Sequence, residues 1–266
     1  MVSPEKYGQW AMVVGAAEGI GKAFSEKLAF LNFNVILVDK KNESCLQLVE
    51  ELQKNHRIES KAFILDLGVE QAAEELIKET QKYACRLIVY NAAYGPVKPF
   101  LSNTKDEIDN YLNVNSRTLI HLIHGVAPNW KGKNSGFVIM SSLAGLFGTQ
   151  LVSPYAATKA FDFNLGEALY HELKSWKIDV LSCCAGATDT PNFRDTNPDL
   201  TIFPKPQVGS PSSVPKEAFK SLGRKPMHIV GFQNRLNYFI LSRLLPRKMA
   251  SKIFNQTMRK IYRNIT

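Results

Sequence analysis

Residues 218–266 contain neither aspartate nor glutamate, although eleven of the 33 lysines and arginines fall there. The rest of the chain holds 22 basic against 24 acidic residues, so the net charge of +9 belongs to the C-terminal region and not to the whole molecule. No aromatic-interleaved platform or DNA-reading motif accompanies that charge, and no nucleic-acid partner is expected. Long apolar runs are also lacking. None reaches the roughly 18 residues that would cross a bilayer, and no basic N-terminal region leads into one; the chain therefore reads as cytoplasmic, without a secretory signal. Cysteine is scarce: Cys45, Cys85, Cys183 and Cys184 have no metal-ligand spacing, and the adjacent pair falls in an apolar run that suits small buried thiols. His121 and His124 share a helix face without a carboxylate or cysteine cluster, so no metal site is expected. Internal repeats, low-complexity tracts and a dividing linker are absent, which makes residues 1–266 a single domain.

What is present is a succession of short apolar runs, at residues 10–14, 35–38, 62–65, 87–90, 137–140 and 179–183, with helical patterns between them. That alternation predicts an α/β fold: a Rossmann-type, doubly wound parallel sheet with helices on both faces. The first run leads into Val13-Val14-Gly15-Ala16-Ala17-Glu18-Gly19-Ile20-Gly21, after which Ile20, Phe24, Leu28 and Leu31 recur at helical spacing. Glycines thus stand where a strand turns into a helix, and they let a pyrophosphate approach the amides of the helix N-terminus. Eighteen residues past Gly21 the second run ends at Asp39. A carboxylate there can accept hydrogen bonds from both hydroxyls of an adenosine ribose, although taken alone it is an ordinary turn residue.

The segment Tyr155-Ala156-Ala157-Thr158-Lys159 has Ser142 thirteen residues upstream. Tyrosine, with an unperturbed pKa of about 10, is a poor acid–base group near neutrality. A lysine four residues later lies on the same helix face, and its positive charge favours the phenolate. Ser142 can offer a hydroxyl to a carbonyl or alcohol oxygen. A tyrosine and lysine at this spacing also occur by chance in ordinary amphipathic helices; their company is what distinguishes them.

With these motifs in this order, the chain resembles the short-chain dehydrogenase/reductase family over about residues 10–190, with a last strand expected around 228–232. The resemblance places Gly15, Glu18, Gly19, Ile20 and Gly21 in the family's glycine motif, where Val14 replaces threonine. It places an adenine contact on Asp66, with neighbouring Leu67 also at the cofactor, and the family's N-N-A-G motif on Tyr90, Asn91, Ala92 and Ala93, of which the Asn-Ala centre is kept. Asn115, Ser142, Tyr155 and Lys159 match its catalytic residues, with Tyr155 and Lys159 also touching the cofactor. Gly186, Thr188 and Thr190 fall in the motif after the sixth strand, where Ala185 replaces proline. Gly19-Ile20-Gly21-Lys22-Ala23-Phe24, followed by Asn34-Val35-Ile36-Leu37, is similar to the long-chain 3-oxoacyl-thioester reductases and hydroxysteroid dehydrogenases of that family.

The resemblance implies hydride transfer between a nicotinamide cofactor and a carbonyl or secondary alcohol of a hydrophobic substrate, in a homodimer or homotetramer. Glu18 and Asp39 would meet the extra negative charge of a 2′-phosphate, so NAD(H) is expected over NADP(H); Lys40 and Lys41 are the residues that could reverse this. Residues 191–217 are proline-rich and carry Phe193, Leu200, Ile202, Phe203 and Val208, which suits a substrate lid. Residues 244–266 form a basic amphipathic extension, with Met249, Ala250, Ile253, Phe254, Met258, Ile261 and Tyr262 as one stripe. Packing on protein is favoured for it, with peripheral membrane contact as the competing reading. Two other functions stay open: a nucleotide-sensing Rossmann scaffold without turnover, and a membrane-surface lipid-metabolising reductase.

Overall fold

The computed structural model describes residues 1–202 and 206–265; Phe203 of the expected lid and Thr266 at the end of the tail lie outside them. Within the described residues, β1 (Trp10–Val14), β2 (Asn34–Asp39), β3 (Ser60–Ile64), β4 (Leu87–Tyr90), β5 (Ser135–Ser142), β6 (Ile178–Ala185) and β7 (Met227–Ile229) form one sheet in the order β3-β2-β1-β4-β5-β6-β7. Every neighbouring pair is parallel. The helices are α1 (Pro4–Tyr7), α2 (Gly19–Phe30), α3 (Asn42–Asn55), α4 (Ala72–Lys82), α5 (Lys105–Leu112), α6 (Thr118–Trp130), α7 (Ser153–Glu172), α8 (Pro191–Asp195), α9 (Ser213–Ser221), α10 (Phe232–Phe239) and α11 (Arg247–Ile261).

Successive strand residues point to opposite faces, and each set meets its own helices. Ala11, Val13, Val35 and Leu37 pack with Phe24 and Leu28 of α2, Leu48 and Leu52 of α3, and Phe219 of α9. Met12, Val14, Ile36 and Val38 pack with Leu76 of α4, Leu122 and Val126 of α6, and Leu165 and Leu169 of α7. Because both faces are covered, the strands read as continuous apolar runs instead of alternating ones. The strand order reverses between β1 and β4, which opens a crevice at the carboxyl ends of the strands, where open α/β sheets hold their ligands.

Two expected features differ in the structure. The last strand ends at Ile229, short of residue 232, because Gly231 at φ +87° turns the chain into α10 and leaves Phe232 exposed. The stripe on the C-terminal helix is divided: Ala250 and Tyr262 are buried, whereas Met249 and Ile253 stand in solvent. Each exposed residue precedes a packed one by a single position, about 100° around the helix, which carries it off the contact face.

That contact face lies on the domain. The Phe254 ring stands 5.5 Å from Phe147, centroid to centroid. Asn255 Oδ1 accepts from the Gln150 amide at 2.8 Å, and its Nδ2 donates to the Gly148 carbonyl at 2.8 Å. Further along, the Tyr262 hydroxyl is 2.9 Å from Thr196 Oγ1, and the Asp199 amide donates to the Ile261 carbonyl. The tail therefore holds both the 147–150 loop and the start of the 196–202 segment. Phe254→Ala removes half-buried apolar area and the ring pair, an expected loss of about 1–3 kcal/mol. At roughly 2–4 °C per kcal/mol for a chain of this size, the melting temperature should fall by several degrees. An unchanged thermal transition would mean that the Asn255 hydrogen bonds hold the tail without help from the ring.

Candidate active site

The glycine turn leaves β1 at Gly15, whose φ of +80° falls in the left-handed region that favours glycine. Its amide and that of Ala16 donate to the Val38 carbonyl, and the Asn91 side chain donates to the Gly15 carbonyl at 2.8 Å. Gly21 sits so close beneath the turn that a Cβ there would come within 1.8 Å of the Gly15 oxygen. α2 starts at Gly19 without a side-chain cap on its N-terminal amides. Asp39, at the tip of β2, accepts from the Ala17 amide at 3.0 Å and from the Lys41 amide at 3.1 Å, which holds its carboxylate beside the turn. Lys41 Nζ reaches Glu18 Oε2 at 2.7 Å.

The other positions expected to touch a cofactor gather at the same edge. Ala92 donates its amide to the Val14 carbonyl, as Asn91 does, so the segment containing Ala93 follows directly behind the glycine turn. Asp66 is exposed and accepts from the Gly68 amide, while Leu67 is buried and its carbonyl accepts from Thr118. Thr188 Oγ1 donates to the Gly186 carbonyl, and Thr190 caps α8 by accepting from the Phe193 amide. The Thr190 methyl stands over Gly19, where a Cβ would approach it to 2.7 Å, so the loop after β6 closes on the glycine turn. Bare backbone under the turn, uncapped amides and a pre-aimed carboxylate fit a dinucleotide: amides for the pyrophosphate and Asp39 for the ribose hydroxyls.

Ser142 ends β5 and Tyr155 lies in the first turn of α7, both half-buried. Ser142 Oγ accepts from the Ala144 amide at 3.2 Å, which holds the serine at the head of the following turn. Lys159 is 2% exposed, with Nζ 2.7 Å from the Met140 carbonyl, 2.9 Å from Asp162 Oδ2 and 6.0 Å from the centre of the Tyr155 ring. Burial, the strongest influence on Lys159, pulls its pKa down, yet the Asp162 carboxylate carries the net direction above the ordinary lysine value. Asn115 is fully buried in a π-helical turn, residues 113–117, between α5 and α6. Such a turn inserts one extra residue per repeat, a device found often at functional sites. Asn115 accepts from the Tyr94 amide at 2.6 Å and donates to Thr158 Oγ1 at 2.9 Å, next to Lys159.

Two participants escaped the sequence reading. Tyr90, which departs from the family's asparagine, donates its hydroxyl to the Val114 carbonyl at 2.6 Å and so ties β4 to the π turn. Asp162 went unremarked although Tyr155, Lys159 and Asp162, four and three residues apart, already describe one helix face. The cysteines are free and buried, with the thiols of Cys85 and Cys184 each pushed up to about 12 by burial. Among the described residues no group of His, Cys, Asp and Glu could hold a metal ion, and no helix is long and apolar enough to cross a membrane. A cavity of about 340 Å³ lies beside the site, lined by residues 145 and 147–150, the outer side of α7 and Arg247; Ser142, Tyr155 and Lys159 are not in its wall.

The fold and this edge define an oxidoreductase of the nucleotide-binding α/β class. The chain belongs to the short chain dehydrogenase family, whose model matches residues 9–201. It is an enzyme acting on CH–OH groups, and the family uses NAD(P)(H). It is 32% identical over 234 residues to a 7β-hydroxysteroid dehydrogenase of Clostridium sardiniense, covering 87% of this chain and 88% of that one. A very-long-chain 3-oxoacyl-CoA reductase of Meyerozyma guilliermondii is 30% identical over 66% of this chain and 55% of its own length. Among solved structures, a 7β-hydroxysteroid dehydrogenase superposes with a TM-score of 0.87 at 25% identity, covering 96% of this chain and 99% of that one. The same fold is shared with a short-chain dehydrogenase of Sphingobium yanoikuyae in complex with NADPH, at TM-score 0.76 and 22% identity over 88% of this chain and 93% of that one.

Proposed function

We propose that the chain interconverts a bulky, hydrophobic secondary alcohol and its ketone, of the hydroxysteroid kind, with NAD(H). The observation that carries the reading is the set Ser142, Tyr155 and Lys159 at the edge of the cofactor crevice, in a chain whose relatives along most of its length include 7β-hydroxysteroid dehydrogenases. When bound, the nicotinamide supplies or accepts the hydride. Tyr155 donates its hydroxyl proton to the ketone oxygen in reduction and takes it back in oxidation. Ser142 donates a hydrogen bond to the same oxygen and orients it. Lys159 places a positive charge near the Tyr155 ring, which stabilises the phenolate, and Asn115 braces the start of α7 through Thr158. The described residues of 191–217, with Phe193, Leu200 and Ile202 half-buried, serve as the apolar cover, and the C-terminal tail steadies them through Thr196 and Asp199. Exposed Ile120 on α6 and Phe161 on α7 support a homo-oligomeric contact on that side.

A second reading concerns the surface on which the enzyme works. Phe232, Leu236, Phe239, Leu244, Met249 and Ile253 are exposed on α10, α11 and the turn between them. Arg243, Arg247, Lys248 and Lys252 are interspersed with them, in a region without an acidic residue. Apolar side chains interspersed with cations match an anionic lipid surface.

Tyr155→Phe keeps the ring and removes the proton, so steady-state reduction of a 7-oxosteroid by NADH should slow by about 10²–10⁴-fold while NADH binding persists; wild-type turnover by this variant would remove Tyr155 from the mechanism. For the cofactor, Asp39 and Glu18 favour NAD(H), and in this structure Lys41 is engaged by Glu18. Fluorescence titration should show NADPH binding about tenfold or more weaker than NADH, and tighter NADPH binding overturns the preference. Sedimentation with phosphatidylglycerol-containing vesicles should show binding that weakens with salt and drops in an Arg243→Glu, Lys248→Glu double variant. Indifference to vesicles at low salt would assign the open face to protein contacts.

A further inference from the structure

The stripe formed by Tyr155 and Lys159 continues to Asp162, which is fully buried, with one carboxylate oxygen 2.9 Å from Lys159 Nζ and the other without a hydrogen-bond partner among the described residues. A carboxylate removed from water and only half satisfied is costly to the fold, and retaining one requires a compensating charge. Lys159 is that charge, itself 2% exposed and held on its other side by the Met140 carbonyl.

We propose that Asp162 is a positioning residue for the reaction: the buried counter-ion that aims the Lys159 ammonium and, by offsetting its charge, sets the pH at which Tyr155 exchanges its proton. The proposal rests on the acid–base role given to Tyr155 above. The other groups facing Asp162 do not take over this function. Burial raises the Tyr90 phenol on β4 well above its ordinary range, with the Asp162 charge adding to the effect, and holds the Cys184 thiol on β6 at about 12. Both stay neutral through the working range, so Lys159, 2.9 Å from the carboxylate, is the group through which the Asp162 charge acts. Burial raises the Asp162 carboxyl while Lys159 draws it back. The direction of the effect on catalysis follows from charge alone. With Lys159 held as the ammonium by the Met140 carbonyl, a negative charge beside it weakens the pull of that ammonium on the Tyr155 proton, so removing the Asp162 charge eases the proton's loss.

Asp162→Asn keeps the shape and loses the charge. In oxidation of a 7-hydroxysteroid by NAD⁺, the acidic limb of the kcat/KM profile should therefore move to lower pH by about one unit or more. Tyrosinate absorbance, titrated in the wild type and in Asp162→Asn and corrected with the matching Tyr155→Phe chains, should show the same acid-ward displacement without any substrate. It also separates the two ideas: a wild type that does not turn over the steroid counts against the proposed function, while the absorbance titration still decides the part played by Asp162. Asp162→Ser, smaller and uncharged, should reproduce the displacement. If both variants lower activity or melting temperature while the limb and the absorbance midpoint stay in place, or if neither gives a folded chain, Asp162 belongs to the fold alone and the proposal is overturned.

Discussion

The docking of α7 on β5 is the contact on which the chemistry of this chain depends. Lys159 makes it from both of its ends: its carbonyl accepts from Ser141 Oγ at 2.7 Å, and its ammonium donates to the Met140 carbonyl at 2.7 Å. Two consecutive strand residues thus grip one helical residue, which fixes both the height and the rotation of the helix against the sheet. Ser142 is the next residue of the strand and Tyr155 lies one helical turn before Lys159, so the same grip positions all three side chains. A shift of the helix by one residue would turn Tyr155 by about 100° away from its present direction.

Around this grip the sheet supplies a second, independent positioning. The parallel register sets the ends of β1 and β4 level, Val14 beside Tyr90 and Tyr90 beside Ile139, while β5 runs on to Ser142, and hydrogen bonds tie down the loops that follow. Asn91 holds Gly15, Tyr90 holds Val114, and Asn115 holds both Tyr94 and Thr158. The glycine turn, the π turn and the start of α7 are therefore each held by a hydrogen bond from a neighbouring segment. Buried networks of this kind are stable only when nearly every member is satisfied, which is why the open oxygen of Asp162 stands out.

The C-terminal region shows how one helix meets two different demands. Phe254, Asn255 and Tyr262 face the domain and fasten the 147–150 loop and Thr196, while Met249 and Ile253 face outward. The packed residues and the exposed ones, which look like one apolar stripe when the segment is read alone, occupy different sides of the same helix.

Local chemistry made much of this legible in the sequence. Six of the seven strands were visible as apolar runs, because burial on both faces removes polar residues from the inner ones, while edge strand β3 shows only through Ala62 to Ile64. The glycine turn, Asp39 and the Tyr155–Lys159 spacing were visible because each depends on chain neighbours or on one helical turn. Asn115, Asp66 and Gly186 carry no local signal of that strength and were located through resemblance of ordered motifs. The sequence by itself determined the α/β class, the strand-to-helix turn and the helix face shared by Tyr155 and Lys159, because periodicity and backbone sterics act over a few residues. Only the tertiary structure decided that Lys159 meets Asp162 away from water, that Tyr90 secures the π turn, and that the C-terminal stripe divides at Met249 and Ile253. Those outcomes depend on which surfaces the folded chain leaves exposed to water, and chain neighbours do not set that.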